Sequence, residues 1–280
     1  KRGYMPVYRP CTRMADDARG TLVVGDTTID LYPDASVSPG GRLRWDIGGT
    51  ATNVARWMAM LDADVAVLTA VGDDFFGRSA ARHLERSAVS TEHLSTADAA
   101  SPITLLVPET EDGERWDAWI DGSCYGFELS AEPATRLAPY ERVHLEGVTL
   151  PAAVNRDEVL ALAEAADDGG TRLSFDLNGR AAPWATAGAD RRALCEILPR
   201  CDVVFAGDAD LALAEAAPTV EGVLELVPST FSATVFVTAG AAETTAASVR
   251  DGRVVERVAV APPAVEVATT AGAGDAFAAG

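Results

Sequence analysis

Short apolar runs alternate with longer stretches of helical periodicity along most of the chain. The first run, Thr21–Gly25, has the sequence TLVVG and is typical of a buried strand that ends in a turn. In the next stretch, Thr52–Leu61, apolar residues recur every three or four positions, which is the spacing of one helix face. Val65–Val71 is again strand-like and Gly77–Arg86 is again helical. The pattern predicts strand, helix, strand and helix in succession.

The same alternation continues through the second half of the chain. Further strands are predicted at Val143–Leu145, Leu173–Phe175, Val203–Phe205 and Thr234–Val237. Helical stretches fall between them, at Arg156–Ala166, Ala189–Leu198 and Ala209–Ala216. Strands that alternate with helices form parallel sheets, because each helix carries the chain back across the sheet. The predicted fold class is α/β, with a mostly parallel central sheet and helices on both faces.

Two strand-like segments interrupt the alternation. Ile103–Val107 and Arg115–Ile120 are joined by turn-rich residues, and together they predict a β-hairpin. With residues 31–46, the region 103–120 is predicted to form a small β-lid on one edge of the sheet. No linker divides the chain, so residues 21–280 are interpreted as one domain that carries this lid.

The chain is strongly acidic, with 42 acidic and 23 basic residues among 280 and a formal charge of −19. Such a charge repels nucleic acids and anionic membranes, so neither is an expected partner. No apolar run reaches the roughly 20 residues of a membrane span. Residues 1–20 are polar and are interpreted as an N-terminal tail rather than a secretory signal, which predicts a cytoplasmic protein. The acidic, lysine-poor composition resembles that of proteins from salt-loving archaea.

Polar residues follow several of the predicted strands. Asp26 and Asp30 come after the first strand, and Asp176 and Asn178 come after Leu173–Phe175. Thr238 and Gly240 follow the Thr234–Val237 strand in the same way. A lone aspartate in such a position is usually a helix cap. In an open parallel sheet, however, ligands bind beyond the carboxyl ends of the strands, so several clusters together favour a binding site.

The glycine-rich segment Thr269–Phe277, TTAGAGDAF, is the sharpest local signal. Its small residues let backbone approach a phosphate, and the helix that follows offers unpaired N–H groups. Asp275 can accept a proton from a hydroxyl while the amides of Gly272, Ala273 and Gly274 stabilise a transferred phosphoryl group. The alternative is a turn capped by Asp275. The segment is not a P-loop, because no Gly-Lys-Ser/Thr sequence follows.

A second glycine cluster opens the helix predicted at Thr52–Leu61. Gly48 and Gly49 admit a ligand close to the backbone, and Asn53 can donate to and accept from neighbouring hydroxyls. Asp30 can bind a sugar diol through both carboxylate oxygens. The alternatives are a loop in which Thr52 or Asn53 caps the helix, and a surface turn at Asp30.

In their order and spacing, these motifs resemble the ribokinase-like carbohydrate kinases, the phosphofructokinase-B type. The first family signature resembles Gly48–Gly77, and the second resembles Thr269–Gly280. Between them, FDLNGRAAPW from Phe175 resembles the family's FDxNxR stretch, and Val237–Gly240 resembles its nucleotide-loop strand end. The FDLNGR stretch is most similar to fructokinases and 2-keto-3-deoxygluconate kinases. The resemblance covers residues 21–280.

The resemblance implies a reaction and a set of site residues. The reaction is transfer of the ATP γ-phosphate to a sugar hydroxyl, with Mg²⁺ bridging the phosphates, Asp275 as base and the Gly272–Gly274 amides as anion hole. The implied sugar ligands are Asp26, Asp30, Gly48, Gly49, Asn53, Asp176 and Asn178. The implied nucleotide residues are Thr238, Gly240, Thr270 and Asp210, of which Asp210 is also a candidate Mg²⁺ ligand. Because the lid often mediates dimerisation in this family, the resemblance also implies a homodimer.

The chain departs from the family pattern at several positions. Thr269 replaces an aspartate that often helps to bind a monovalent cation, which argues against activation by K⁺. Gly207 and Asp210 stand where the family has Asn-x-x-Glu, and Glu243 replaces a common glycine in the nucleotide loop. The chain stops at Gly280, where the family usually continues with further helices, so the C-terminal part of the family fold is expected to be absent.

Three classes of function remain open from the sequence. The leading hypothesis is an ATP-dependent kinase for a fructose-like or 2-keto-3-deoxygluconate-like sugar, with ribose or a nucleoside as alternative acceptors. The altered Gly207, Glu243 and Thr269 motivate a second, a sugar- or nucleotide-binding protein of the same fold that has lost turnover. A dinucleotide-dependent oxidoreductase is the third, and the missing glycine fingerprint after the first strand argues against it.

Overall fold

The computed structural model describes residues 20–33, 38–110, 113–120, 122–150, 153–179, 190–265 and 270–280. The strands are β1 (Thr21–Val24), β2 (Thr28–Pro33), β3 (Leu43–Gly48), β4 (Val65–Gly72), β5 (Ser90–Ala97), β6 (Ile103–Thr110), β7 (Gly113–Trp119), β8 (Arg142–Glu146), β9 (Arg172–Asp176), β10 (Val203–Gly207), β11 (Ala233–Thr238), β12 (Thr244–Arg250) and β13 (Arg253–Val260). The helices are α1 (Thr50–Met60), α2 (Phe75–Arg86), α3 (Pro133–Leu137), α4 (Ala153–Gly169), α5 (Asp190–Ile197), α6 (Asp208–Leu213), α7 (Val220–Leu224) and α8 (Ala273–Ala279). Short 3₁₀ helices lie at Gly147–Thr149 and Leu198–Arg200.

The larger sheet has nine strands in the order β13-β12-β11-β10-β9-β8-β1-β4-β5. From β11 to β5 every neighbouring pair is parallel, and β12 and β13 extend one edge in the antiparallel sense. In register, Thr21 of β1 pairs with Val65 of β4 on one side and with Arg142 of β8 on the other. The predicted α/β class with a mostly parallel sheet is confirmed.

Helices cover both faces of this sheet, and the central strands show it residue by residue. All eight residues of β4 are buried, as expected for a parallel strand with helices on both sides. In β1, Leu22 and Val24 join a large core cluster with residues of α4 and α5, whereas Val23 joins a second cluster with residues of α1, α2 and α8. Since successive side chains point to opposite faces, the two clusters are the two sides of the sheet.

A separate four-stranded sheet, in the order β3-β2-β6-β7, forms the lid. β2 pairs with β3 in the antiparallel sense and with β6 in the parallel sense, and β6 and β7 form the hairpin predicted from the sequence. The lid begins earlier than predicted, because β2 starts at Thr28 rather than near residue 31. On the β3 side, the Trp45 ring packs edge-on against Phe75 and Phe76 of α2.

The sequence pattern does not predict β5, β12 or β13. β5 has the sequence STEHLSTA, with little apolar alternation, and it forms one edge of the large sheet. β13 forms the other edge, and most of its residues are exposed. Edge strands are stabilised by backbone pairing on one side and are often polar, so their apolar pattern is weak. Within the described ranges, no helix has the length and apolar character needed to cross a bilayer.

Candidate active site

Polar residues converge at the carboxyl edge of the large sheet. Glu146 ends β8, Asp176 ends β9, Gly207 ends β10 and Thr238 ends β11, and these four strands are consecutive in the sheet. Asp26 follows β1, the next strand in that order. Because all five strands are parallel, their ends lie on the same side of the molecule. This is the edge at which ligands bind in open α/β sheets.

Asp275 and Asn53 join the two glycine-rich segments. Asp275 lies in the first turn of α8 and is only 6% exposed. Nδ2 of Asn53, on α1, donates a hydrogen bond to Oδ2 of Asp275 over 2.7 Å, across 222 positions of sequence. Behind this contact, Ala278 of α8 packs in the same core cluster as Ala51 and Val54 of α1. The packing of the two helices therefore brings the candidate base and a candidate sugar ligand together.

Gly272 precedes α8 in a left-handed conformation, with φ of +75°. Glycine adopts this conformation without the steric strain that a side chain would bring. An added Cβ would also lie 3.8 Å from both Nδ2 of Asn53 and Oδ2 of Asp275. The turn delivers the backbone of residues 272–274 next to the Asn53–Asp275 pair. Of the three amides predicted to form an anion hole, that of Ala273 already donates to the backbone oxygen of Thr270 over 3.1 Å.

Asp30 lies on β2, inside the lid sheet rather than in a surface turn. Its Oδ1 accepts a hydrogen bond from the Thr28 hydroxyl over 2.8 Å. A Cβ on Gly48 of β3 would lie 2.0 Å from Oδ2 of Asp30, so only glycine fits beside this carboxylate. Gly48, which the sequence predicts to admit a ligand close to the backbone, makes room for the Asp30 side chain.

Burial raises the pKa of Asp30 from 3.8 to about 6. The Thr28 hydroxyl opposes this change, whereas the nearby carboxylates of Asp26, Asp275 and Asp46 reinforce it. A buried carboxylate loses hydration and is repelled by like charges, and both effects favour the protonated form. Asp30 therefore shares one electrostatic environment with two other candidate site residues, Asp26 and Asp275.

Asp26 connects the end of β1 to the start of α1. Its Oδ1 accepts hydrogen bonds from both the backbone N–H and the hydroxyl of Thr50, each over 2.8 Å. The helix-cap role that the sequence left open for such residues is thus present at Asp26. Gly49 has φ of +96°, and an added Cβ would lie 2.5 Å from the backbone oxygen of Asp26. Gly49 is therefore required by the close approach of the two segments.

A buried polar cluster that the sequence analysis did not identify lies beneath these residues. Glu146 and His144, on β8, are both fully buried. Oε2 of Glu146 accepts a hydrogen bond from Nδ2 of Asn178 over 3.1 Å, and Oε1 lies 3.2 Å from Nε2 of His144. The other ring nitrogen of His144 lies 2.9 Å from the Ser174 hydroxyl. The signal in the sequence was a carboxylate directly after a buried strand, as at Asp26.

Burial controls the ionisation of this cluster. It lowers the pKa of His144 below its usual value, so the imidazole is neutral at pH 7. Burial, with the neighbouring Glu146 and Asp210 carboxylates, raises the pKa of Asp176 well above its ordinary value. Oδ1 of Asp176 accepts a hydrogen bond from the backbone N–H of Asn178 over 3.2 Å. Asp176 and Asn178 thus form a buried floor with Glu146, whereas Arg180 of the same motif lies outside the described residues.

Asp210, one of the predicted nucleotide residues, holds two loop ends together. Its Oδ1 accepts the N–H of Gly179 over 2.7 Å, and its Oδ2 accepts the N–H of Gly207 over 2.8 Å. A Cβ on Gly207 would lie 2.8 Å from Oδ2 of Asp210, which is too close for ordinary packing. The two departures from the family's Asn-x-x-Glu element therefore belong together, because the glycine makes room for the aspartate.

The other predicted nucleotide residues lie around this clamp. Thr238 is the register partner of Gly207 across β10 and β11, and Gly240 follows in a turn with φ of +56°. Thr270 is exposed just before α8. Thr269, the residue on which the K⁺ expectation rests, lies outside the described residues. Among the residues that are described, no three His, Cys, Asp or Glu side chains are arranged to hold a metal ion.

The fold is that of ribokinase-like sugar kinases. A putative ribokinase II from Escherichia coli, solved with ATP and Mg²⁺, has a TM-score of 0.76 at 19% identity, over 93% of this chain and 83% of that one. At this identity the likeness establishes the fold. The sequence matches the pfkB family carbohydrate kinases over residues 19–280, and the chain belongs to that family.

Two relatives with named activities are similar to most of this chain. The fructokinase of Klebsiella pneumoniae is 31% identical over 259 residues, which is 92% of this chain and 81% of that protein. The ATP-dependent ribose-1-phosphate kinase of Halopiger xanaduensis is 29% identical over 255 residues, 90% of this chain and 78% of that protein. The protein is therefore a carbohydrate kinase, and the family resemblance seen in its motifs is confirmed.

Proposed function

We propose that this protein transfers the γ-phosphate of ATP to a hydroxyl of a fructose-like or 2-keto-3-deoxygluconate-like sugar. The observation that carries the proposal is the 2.7 Å hydrogen bond between Asn53 and Asp275. It joins a residue suited to sugar hydroxyls with a buried carboxylate at a helix start, in a protein whose family phosphorylates carbohydrates. This contact supports a site in which a bound sugar hydroxyl lies beside the proposed base.

In the proposed reaction, Asp275 accepts the proton of the attacking sugar hydroxyl. As that O–H bond breaks, the oxygen forms a bond to the γ-phosphorus and the bond to the β-phosphate oxygen breaks, which releases ADP. The backbone N–H groups of Gly272 and Gly274 are proposed to face the charge that develops on the transferred phosphoryl oxygens, whereas that of Ala273 donates to the backbone oxygen of Thr270 over 3.1 Å. Phosphoryl transfer depends mainly on such positioning and electrostatic stabilisation.

The sugar is proposed to bind between the lid and the sheet edge. Asp30 accepts from a pair of hydroxyls, Asn53 binds a third, and Gly48 and Gly49 let the ring approach the backbone. Asp26 holds the start of α1 in place through its hydrogen bonds with Thr50. Asp176 and Asn178, whose partners are buried, complete the floor of the site.

The nucleotide is proposed to lie over the ends of β10 and β11, against Thr238, Gly240 and Thr270. Bound Mg²⁺ supplies charge neutralisation of the phosphates. Asp210 is the candidate protein ligand for the ion, since its carboxylate supplies oxygen ligands at the carboxyl edge of the sheet. Its two backbone hydrogen bonds give it a fixed orientation with or without that role.

The choice of acceptor is the finer part of the proposal. The FDLNGR stretch and the Klebsiella relative favour fructose or 2-keto-3-deoxygluconate, whereas the Halopiger relative favours a ribose derivative. The test is an ADP-release assay with Mg-ATP against fructose, 2-keto-3-deoxygluconate, ribose, ribose 1-phosphate and adenosine, at low and at molar salt. Turnover of the first two above the others is expected. No turnover on any acceptor at either salt concentration favours a binding protein of the same fold.

The first mechanistic prediction concerns Asp275→Asn. The amide cannot accept the hydroxyl proton at neutral pH, so kcat is expected to fall by about 10²–10⁴-fold while the KM for sugar changes little. Steady-state kinetics on the preferred sugar measures both. The control is Asp251→Asn, which removes an equal charge at an exposed turn where φ is +47° and asparagine is tolerated. Near-normal kcat in Asp275→Asn would remove this residue from the role of base.

A further inference from the structure

A cavity of about 290 Å³ lies between the lid and helix α2, apart from the candidate catalytic residues. Residues 45–47 of β3 form one wall, and Ser79, Arg82, His83 and Arg86 of α2 form the other. Neither Asp30, Asn53 nor Asp275 lines it. Its volume is at the lower end of small-ligand pockets, which start at roughly 300 Å³.

The cavity concentrates positive charge in a protein of formal charge −19. Arg82 and Arg86 lie one helical turn apart on its wall. Arg56 of α1 borders it, because its NH1 group lies 3.4 Å from the backbone oxygen of Ile47. Within the part of the chain that the structure describes, none of these three guanidinium groups forms an ion pair with a carboxylate. Their charges are available to a ligand.

One carboxylate, that of Asp46, shares the wall with these arginines. Its Oδ1 already accepts the backbone N–H of Ile47 over 2.8 Å. Three guanidinium groups against this single carboxylate leave two positive charges around the cavity. A dianion compensates that excess, whereas a neutral sugar does not.

A neutral donor completes the wall. The Ser79 hydroxyl donates to the backbone oxygen of Phe75 over 2.8 Å and accepts a hydrogen bond from NH2 of Arg82 over 3.2 Å, so it orients that arginine. Nε2 of His83 is shielded from solvent and has no hydrogen-bond partner among the described residues. Burial and the nearby Arg56 lower the pKa of His83 below its usual value. The ring is therefore neutral at pH 7, and it can supply one N–H to an anion.

We propose that this cavity is a binding site for a phosphate dianion, either free or as the monoester of a small metabolite. Guanidinium groups bind phosphate oxygens through paired hydrogen bonds, and the imidazole adds an uncharged donor. The wall on β3 is continuous with Gly48, which contacts Asp30, so an occupied cavity fixes the strand that borders the sugar side of the lid. The site is independent of the phosphoryl-transfer proposal.

The test is titration calorimetry on the intact protein with inorganic phosphate, and separately with glycerol 3-phosphate, at constant ionic strength set with chloride. The double variant Arg82→Ala/Arg86→Ala is expected to weaken phosphate binding at least tenfold. The matched control is Arg78→Ala, on the same helix but outside the cavity, where the side chain only pairs with Asp73. Tighter binding of the monoester than of phosphate identifies a phosphorylated metabolite as the ligand.

Several results overturn the proposal. Phosphate binding that is equal in the double variant and in Arg78→Ala places phosphate elsewhere, for example at the nucleotide site. Acetate binding as tightly as phosphate removes the preference for a dianion. A dimer in sedimentation that the double variant abolishes, and that phosphate does not affect, assigns the arginines to an interface between two copies. If the double variant does not fold, the single variant Arg86→Gln replaces it, with a several-fold loss expected and an unchanged affinity counting against the site.

Discussion

At the residue scale, the site is built from carboxylates that repel one another. Asp30 shows the cost most clearly, because burial and its acidic neighbours raise its pKa to about 6. At neutral pH the folded protein therefore holds a charge that would be more stable in water. Carboxylates whose pKa is shifted in this way are common at functional sites.

Asp30→Asn is predicted to stabilise the protein while it weakens sugar binding. The folded-state pKa of about 6 lies above the ordinary 3.8, so the folded protein binds the proton more tightly than the unfolded chain does. The free energy of unfolding contributed by Asp30 therefore decreases as pH rises from about 4 to 6 and stays low above that. At pH 8 the variant removes a penalty on the order of 3 kcal/mol at most.

Thermal unfolding between pH 4 and pH 8 checks this prediction. The wild type should lose stability relative to Asp30→Asn as pH rises through 6, and the variant should have the higher Tm at pH 8. The exposed-turn variant Asp251→Asn serves again as the control for the loss of one negative charge. An Asp30→Asn protein that is less stable than wild type at pH 8 would show that the Thr28 hydrogen bond outweighs the burial of charge.

At the scale of elements, the site depends on loops held at the ends of strands. Asp210, in the first turn of α6, ties the loop after β9 to the end of β10 through the amides of Gly179 and Gly207. Hydrogen bonds from amides to a carboxylate are among the stronger polar contacts in proteins. Asp210 therefore links the loop that follows Asp176 and Asn178 to the end of β10.

Asp210→Ala is predicted to lower stability by about 2 kcal/mol and to raise the KM for ATP several-fold, because two backbone N–H groups lose their acceptor. Urea unfolding and steady-state kinetics measure the two effects. The matched control is Asp208→Ala on the same helical turn, an exposed residue whose carboxylate contacts only the N–H of Ala209 among the contacts described. Similar losses in both variants would point to the helix dipole rather than to the clamp.

Most of the large sheet was predictable because its strands are apolar on both faces. β1, β4 and β8 to β11 were all recognisable from the sequence, and so was the lid hairpin. The edge strands β5 and β13, and β12 beside β13, were not, because backbone pairing rather than a clear apolar pattern defines them. The start of β2 was also missed, since Thr28 and Asp30 are polar residues buried by the site itself.

The candidate site was predictable where spacing repeats a motif, and unpredictable where partners are remote in sequence. Asp275 and the glycines before it stand out locally. Glu146 and His144 did not, because their role depends on Asn178 and Ser174 from a neighbouring strand. The same limit applies to Gly207, because its lack of a side chain beside Asp210 matters only in the folded loop.

At the scale of the whole molecule, the excess of acid works against the proposed nucleotide. A formal charge of −19 creates a repulsive field for polyanions, and several of the carboxylates are buried at the site. Salt screens this field, since the Debye length falls from roughly 10 Å at 0.1 M to about 3 Å at 1 M. Close contacts inside the site are screened much less.

Raising salt from 0.1 M to 1 M is therefore predicted to raise the Tm and to lower the KM for Mg-ATP. Sodium chloride and choline chloride, compared at equal ionic strength, separate general screening from binding of a particular cation. Equal effects of the two salts support screening. A KM that rises with salt would mean that local positive groups, rather than the global charge, dominate nucleotide binding.

The Asn53–Asp275 hydrogen bond has a consequence for how the enzyme treats water. While this bond is present, Oδ2 of Asp275 already accepts a hydrogen bond. The carboxylate is therefore a weaker base toward a water molecule that enters the site. A sugar that binds Asn53 through its own hydroxyl exchanges one hydrogen bond for another, at little net cost. The acceptor thereby releases the carboxylate that deprotonates it. Under the proposed mechanism, the resting contact is a safeguard against wasteful ATP hydrolysis.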